Sequence, residues 1–155
     1  MKIRIICVGK VKEAFYRNRI REYSALIQKR CPFEIIEVAD ERTAEHMSET
    51  EVRNVLKAEG ERLLNYLKPD GEELVTALCI DGETYTTGEW IKGLESQMKQ
   101  KDIRQFTFII GGSLGLAEAV IRRADRKLSF SSLTFPHQLM RVMLTEQLAA
   151  LAGKL

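Results

Sequence analysis

The chain has 155 residues, 45% of them hydrophobic and 30% charged, which suits one domain, residues 1–155, with a real core. No apolar run is long enough to span a membrane. Cys7, Cys31 and Cys79 form no C-x-x-C, which disfavours a structural zinc site or disulfide framework and fits a reducing, cytoplasmic setting.

Met1 to Cys7 alternates charged and apolar residues, predicting a first strand over Lys2–Val8 in place of a signal peptide, ended by Gly9. A helix over Val11–Arg30 follows. Tyr16, Ile20, Tyr23 and Ile27 form its apolar stripe, and Lys12, Arg17, Arg19 and Arg21 occupy another face. Residues 1–30 carry nine Lys/Arg against two Glu, whereas residues 34–73 carry twelve acids against five bases. Such a basic arm suggests an anionic partner; alternatively the two segments face each other or are simply solvated.

Cys31-Pro32 breaks the helix, and Phe33–Val38 reads as a second strand. Ala39–Met47 is a polar loop with His46 at the surface. Ser48 and Glu51 make a capping box for a helix to about Leu67, with Val52, Leu56, Leu63 and Leu67 on one side. Lys68-Pro69-Asp70-Gly71 reads as a turn. Leu74–Ile80 is a third strand, and Asp81-Gly82 reads as a turn in preference to a carboxylate base. Cys7 and Cys79, inside strands, are expected to be buried and inert. Thr86 and Glu89 form a second capping box, for a helix carrying Trp90, Ile91, Leu94 and Met98.

Gln105–Leu116 reads QFTFIIGGSLGL. Phe106, Phe108, Ile109 and Ile110 predict a strand buried on both faces, stopping at Gly111-Gly112. Adjacent glycines at that point let backbone approach a ligand, and a branched side chain at Gly112 is expected to fall where the ligand lies. The glycines alone also suit a tight turn, and they match neither a P-loop nor G-x-G-x-x-G. A short helix over Ala117–Asp125 and a short strand over Lys127–Phe130 follow. Then come a hydroxyl-rich loop from Ser131 and a final helix from Gln138 to about Ala152, apolar on most sides. Such a helix is buried in the core or against a second subunit.

This alternation predicts an α/β fold, a mainly parallel sheet with helices on both faces. Leu78–Gly82, Gly111–Gly115 and Ser131–Pro136 then converge at the carboxyl edge of the sheet. They offer apolar contact, bare backbone and small hydroxyls, which suits an adenine-bearing cofactor and neither a metal nor a triphosphate. H-E-x-x-H and G-x-S-x-G are both absent.

IIGGSLGL, then KLSFSSLTFPHQLMR, then VMLTEQ together resemble the SPOUT class of RNA methyltransferases. More narrowly they resemble the small bacterial family that methylates N3 of a pseudouridine in 23S ribosomal RNA of the large subunit. KIRIICVGKVKE, EIIEVADE and KAEGERLL extend the similarity over nearly the whole chain. The resemblance implies a C-terminal trefoil knot, a homodimer through the last helix, and S-adenosylmethionine held in the knot loops. By position, the cofactor would touch Leu78, Gly111, Gly112, Ser131, Ser132, Leu133, Thr134, Phe135 and Pro136. No metal is implied.

After Glu146-Gln147 the family usually continues with an aromatic-arginine segment and a polar tail ending in Tyr-His and a basic residue. Here the sequence is Leu148-Ala149-Ala150-Leu151-Ala152-Gly153-Lys154-Leu155, so weakened RNA engagement and turnover are expected. His137 and Arg141 are the candidate catalytic residues. His137 alternatively positions the loop, and Arg141 alternatively holds a phosphate or pairs with a carboxylate. Lys12, Arg17, Arg19 and Arg21 are the candidate RNA contacts. The competing readings are a non-catalytic RNA-binding module and, disfavoured by glycine spacing, a dinucleotide-dependent enzyme.

Overall fold

Strand and helix alternate strictly, and each helix returns the chain so that its neighbouring strands run parallel. A computed structural model describes residues 1–68, 72–100 and 102–155. The expected turn at Lys68-Pro69-Asp70-Gly71 lies outside them, apart from Lys68. The order is β1 (Lys2–Val8), α1 (Ala14–Gln28), β2 (Phe33–Val38), α2 (Glu49–Leu64), β3 (Glu73–Glu83), α3 (Thr87–Met98), β4 (Gln105–Ile110), α4 (Glu118–Arg123), β5 (Arg126–Leu128) and α5 (His137–Ala152). The sheet order is β2-β1-β4-β3-β5, with every pairing parallel.

Alternation along each strand divides the core in two. Ile3, Ile5 and Cys7 of β1 join Phe106, Phe108 and Ile110 of β4 in packing against Ile27 of α1, Leu94 of α3 and Leu144, Leu148 and Leu151 of α5. On the other face Ile6, Val8, Val75 and Ile109 meet Leu63 of α2 and Val120 of α4. The basic α1 and acidic α2 therefore lie on opposite faces of the sheet and do not meet, and the two oppositely charged segments touch through their strands instead, at Lys2–Glu34 and Arg4–Glu73. The last helix buries Leu144, Leu148 and Leu151 within its own chain and leaves Leu139, Met140, Val142 and Met143 half-exposed.

β4 is buried along its whole length because β1 and β3 flank it. At the amino edge, Arg4 pairs in register with Thr107, and Glu73 with Gln105. These four side chains form a buried polar cluster, in which Arg4 donates to Glu73 at 2.7 Å and Gln105 donates to Glu73 at 2.7 Å.

Several boundaries differ from expectation. The first helix starts at Ala14, three residues later than predicted. The Lys12 N–H is taken by Gln138 of α5, and Arg17 captures the Val11 and Lys12 carbonyls, which ties this segment to α5. Both capping boxes are present. However, α2 stops at Leu64; its buried residues are Val55, Glu59, Gly60 and Leu63, with Val52, Leu56 and Leu67 half-buried beside them, so the expected side is the one that faces the sheet. Cys79 is half-buried within β3, not sealed in the core like Cys7. Burial pushes the Cys7 thiol up to about 12.

Asp81-Gly82 is not a turn. It continues β3, whose pairing with β5 shifts between Leu78 and Glu83, both opposite Leu128. A Cβ at Gly82 would sit 2.7 Å from the Leu128 backbone carbonyl carbon and 2.8 Å from its nitrogen. The glycine lets β5 lie against the bulge, and β5 leads directly into the Ser129–Pro136 loop. Gly82→Ala is expected to cost about 2 kcal/mol by forcing that backbone apart, as overpacking does. Urea unfolding of the variant beside the parent measures it.

Candidate functional site

The carboxyl ends of β3 and β4 and the loop after β5 enclose a cavity of about 530 Å³, within the range of small-molecule sites. Leu78, Gly111, Gly112, Ser131, Leu133, Thr134, Phe135 and Pro136 line it, as does Cys79. Ser132, also expected there, is exposed and stands outside the lining. Leu78, Cys79 and Ile80 of β3 therefore meet the loops after β4 and β5, whereas Asp81 and Gly82, further along β3, stand outside this lining. No Lys, Arg, Asp or Glu lines the cavity among the described residues, so a phosphate chain finds no neutralising cation there. Apolar walls with Ser129, Ser131 and Thr134 hydroxyls fit a nucleoside bearing a compact polar group. That chemistry accommodates S-adenosylmethionine.

Local hydrogen bonds shape both loops. The Gly115 N–H donates to the Gly112 carbonyl at 3.1 Å and closes the turn after β4. The Leu133 N–H donates to Ser131 Oγ at 3.0 Å, and Ser129 Oγ donates to the Ser131 carbonyl at 3.1 Å. These bonds occupy Ser129 and Ser131 in holding the loop open around the cavity.

The glycine pair serves packing first. A Cβ at Gly111 would lie 2.4 Å from the Gly115 carbonyl oxygen. A Cβ at Gly112 would lie 3.2 Å from Val8 Cγ1 and from Glu59 Oε1. A branched residue at Gly112 thus crowds the layer behind the loop, contrary to the expectation that it would meet the ligand first.

His137 opens α5 and lines the cavity. Burial holds its imidazole below the usual value, the Arg141 guanidinium pushes it down further, and Asp40 partly opposes them. It is therefore neutral at pH 7. Arg141 lies outside this cavity lining and is only 3% exposed. It donates to Glu37 Oε2 at 2.6 Å and to the Gly9 carbonyl at 3.0 Å, tying α5 to the ends of β2 and β1.

Glu59 was not anticipated. It is 4% exposed, its Oε2 accepts the Glu41 N–H at 2.9 Å, and its Oε1, buried behind Gly112, has no hydrogen-bond partner among the described residues. Burial raises its carboxyl, the Glu41 N–H pulls it back down, and the Asp40 and Glu41 carboxylates raise it further. The i, i+4, i+8 series Val55, Glu59, Leu63 is the sequence signal that exposes it.

Lys12, Arg17, Arg19 and Arg21 are all exposed on or just before α1, but they are not equivalent. Arg19 pairs with Glu22 at 3.2 Å, while Arg17 grips the Val11 and Lys12 carbonyls. His46 is exposed. Among the described residues no group of three His, Cys, Asp or Glu could hold a metal ion. No described helix is long and apolar enough to cross a membrane.

A family model described as "Predicted SPOUT methyltransferase" matches residues 1–149. The chain is 47% identical over 148 residues to ribosomal RNA large subunit methyltransferase H of Bifidobacterium animalis subsp. lactis, covering 96% of this chain and 91% of the relative. It is 44% identical over 147 residues to the protein of the same name from Bacillus pumilus, covering 95% and 91%. Among solved structures, a probable methyltransferase from Bordetella pertussis superposes with a TM-score of 0.55 at 15% identity, covering 97% of this chain and 94% of that one. A putative methyltransferase from Legionella pneumophila in complex with the bound cofactor SAM gives 0.52 at 12% identity, covering 97% and 66%. At such identities these two structures speak for the fold.

Proposed function

The chain belongs to the SPOUT methyltransferase family, and from that premise we propose that it methylates N3 of a pseudouridine in 23S ribosomal RNA of the large subunit. S-adenosylmethionine is the methyl donor, and the enzyme works in the cytoplasm as a homodimer. The observation that carries this reading is that one family match, residues 1–149, takes in all three loops that enclose the cavity. The trefoil knot of the C-terminal part belongs to the same reading. A non-catalytic RNA-binding module is not favoured, since the curated relatives are themselves named methyltransferases.

Leu78, Gly111, Gly112 and the Ser131–Pro136 loop would hold the cofactor, with Ser132 at the outer rim. When bound, the cofactor supplies a methyl group on a sulfonium. The protein aligns the acceptor nitrogen with it and excludes water. The acceptor is an imide N–H, whose proton must leave, and the neutral His137 imidazole at the cavity edge is placed to take it. Arg141, already bonded to Glu37 and Gly9, fixes the start of α5 and so the position of His137. Lys12, Arg17, Arg19 and Arg21 contribute positive charge toward RNA phosphates.

His137→Gln is expected to lower kcat on the order of 10²-fold, the usual scale for losing a general base, with cofactor affinity unchanged. Because the depressed histidine is uncharged at neutral pH, parent activity should hold near pH 7 and fall only on acidification. The variant should lose that acid limb. A pH series of methyl-transfer rates checks both expectations.

Calorimetry tests the cofactor assignment. S-adenosylmethionine should bind at one site per chain and NAD should not. Binding of NAD without S-adenosylmethionine would overturn the assignment.

A further inference from the structure

A second cleft, of about 420 Å³, opens beside the first helix. Ile20 of α1 and Ile35 of β2 give it apolar walls, and Lys10, Arg17 and Arg21 bring three cations. No carboxylate lies within ion-pair distance of those three among the described residues. Glu37 is the acid that lines the cleft, and Arg141 neutralises it at 2.6 Å. The cleft is thus large enough for one nucleotide, apolar where a base or ribose would rest, and cationic where a phosphate would sit.

Its position relative to the cavity is the second observation. His137 lines the cavity and Arg141 lines the cleft, one turn apart on α5. The first turns of α5 form a ridge with the methyl-donor cavity on one side and the basic cleft on the other. We propose that the Lys10–Arg17–Arg21 cleft is an RNA subsite that takes the phosphate and sugar of a nucleotide neighbouring the methylated one. The strand crosses the α5 ridge there and presents the target base to the cavity. This rests on the RNA-methyltransferase reading above. A second copy of the chain is a poorer occupant, because a two-fold contact through this cleft would bring two such sets of unpaired cations into one interface.

Lys10 and Arg21 make the cleaner test, since Arg17 also holds the Val11 and Lys12 carbonyls. The comparison is Lys10→Gln/Arg21→Gln against Arg53→Gln/Lys57→Gln. The second pair removes the same charge from exposed positions on α2, across the sheet. Methyl transfer from labelled S-adenosylmethionine to large ribosomal subunits lacking the modification is followed at several salt concentrations. Cofactor affinity and molecular mass are measured alongside.

The cleft variant should raise KM for subunits about tenfold and flatten its logarithmic salt dependence by roughly 1.5, as expected for two lost phosphate contacts. Its kcat, cofactor affinity and mass should stay at parental values, and the α2 variant should keep the parental KM. Equal losses in both variants would reduce the effect to diffuse charge, and an unchanged KM would remove the subsite; either overturns the proposal. A changed mass in the cleft variant would make the cleft a subunit contact and overturn it too. A parent that binds S-adenosylmethionine but methylates no subunit would overturn the underlying reading, and the subsite with it.

Discussion

Gly111→Ala should weaken S-adenosylmethionine binding roughly a hundredfold, a cost of about 3 kcal/mol at the upper end of overpacking penalties. The added methyl would stand 2.4 Å from the Gly115 carbonyl oxygen and 2.6 Å from its carbon. Both are backbone atoms, so no side-chain rotation relieves the contact. The turn from Gly112 to Gly115 has to open, and it forms one wall of the cavity. The sheet and the α5 core lie elsewhere, so far-UV circular dichroism should remain close to the parent's. Titration calorimetry reads the affinity. Parental affinity in the folded variant would show that the turn does not shape the site.

Glu73→Gln should lower stability by about 3–5 kcal/mol, the range for breaking a buried ion pair from one side. The Glu73 side chain is fully buried and the Arg4 side chain nearly so. Removing the charge leaves the Arg4 guanidinium without its counterion inside the sheet. Burial alone would raise the Glu73 carboxyl, but donation from Thr107, the Lys68 amide, Arg4 and Gln105 outweighs it and holds the carboxyl below its usual range. A depressed carboxyl gives stability that is present above the unfolded-state value and is lost as pH falls through the folded one. Parental stability should therefore drop on acidification below about pH 4.5, in line with carboxylate pKa values, and Glu73→Gln should show less of that drop. Arg4→Met/Glu73→Leu should recover most of the loss, since an apolar pair has no charge to strand. Urea unfolding at pH 7 and pH 4 measures all three proteins.

Patterns carried by neighbouring residues were legible in the sequence. β1, β2 and β4 announce themselves by β-branched runs, and both capping boxes need only residues three apart. The carboxyl-edge cavity followed from parallel strands ending at Gly111 and before Ser131. What failed depended on contacts from far along the chain. Asp81-Gly82 has the composition of a turn, yet β5 extends β3 through it, and only the approach of Leu128 explains the glycine. The start of α1 is set by Gln138, more than a hundred residues away. Glu59 stands in line with Val55 and Leu63, which marks it as inward-facing, but only the fold shows that Gly112, Val8 and Glu41 close around it. Likewise the basic residues of α1 look alike in sequence, and only the fold separates the paired Arg19 from Arg17 and Arg21 at the cleft.

The central claim is methyl transfer to ribosomal RNA, and the direct measurement is mass spectrometry of nucleosides from treated subunits. Large ribosomal subunits lacking the modification are incubated with the protein and S-adenosylmethionine, and their 23S RNA is digested. The account expects one added methyl per subunit, found on N3 of a pseudouridine, and little of it with Gly111→Ala. No added methyl, or a methyl on another nucleoside, would contradict it.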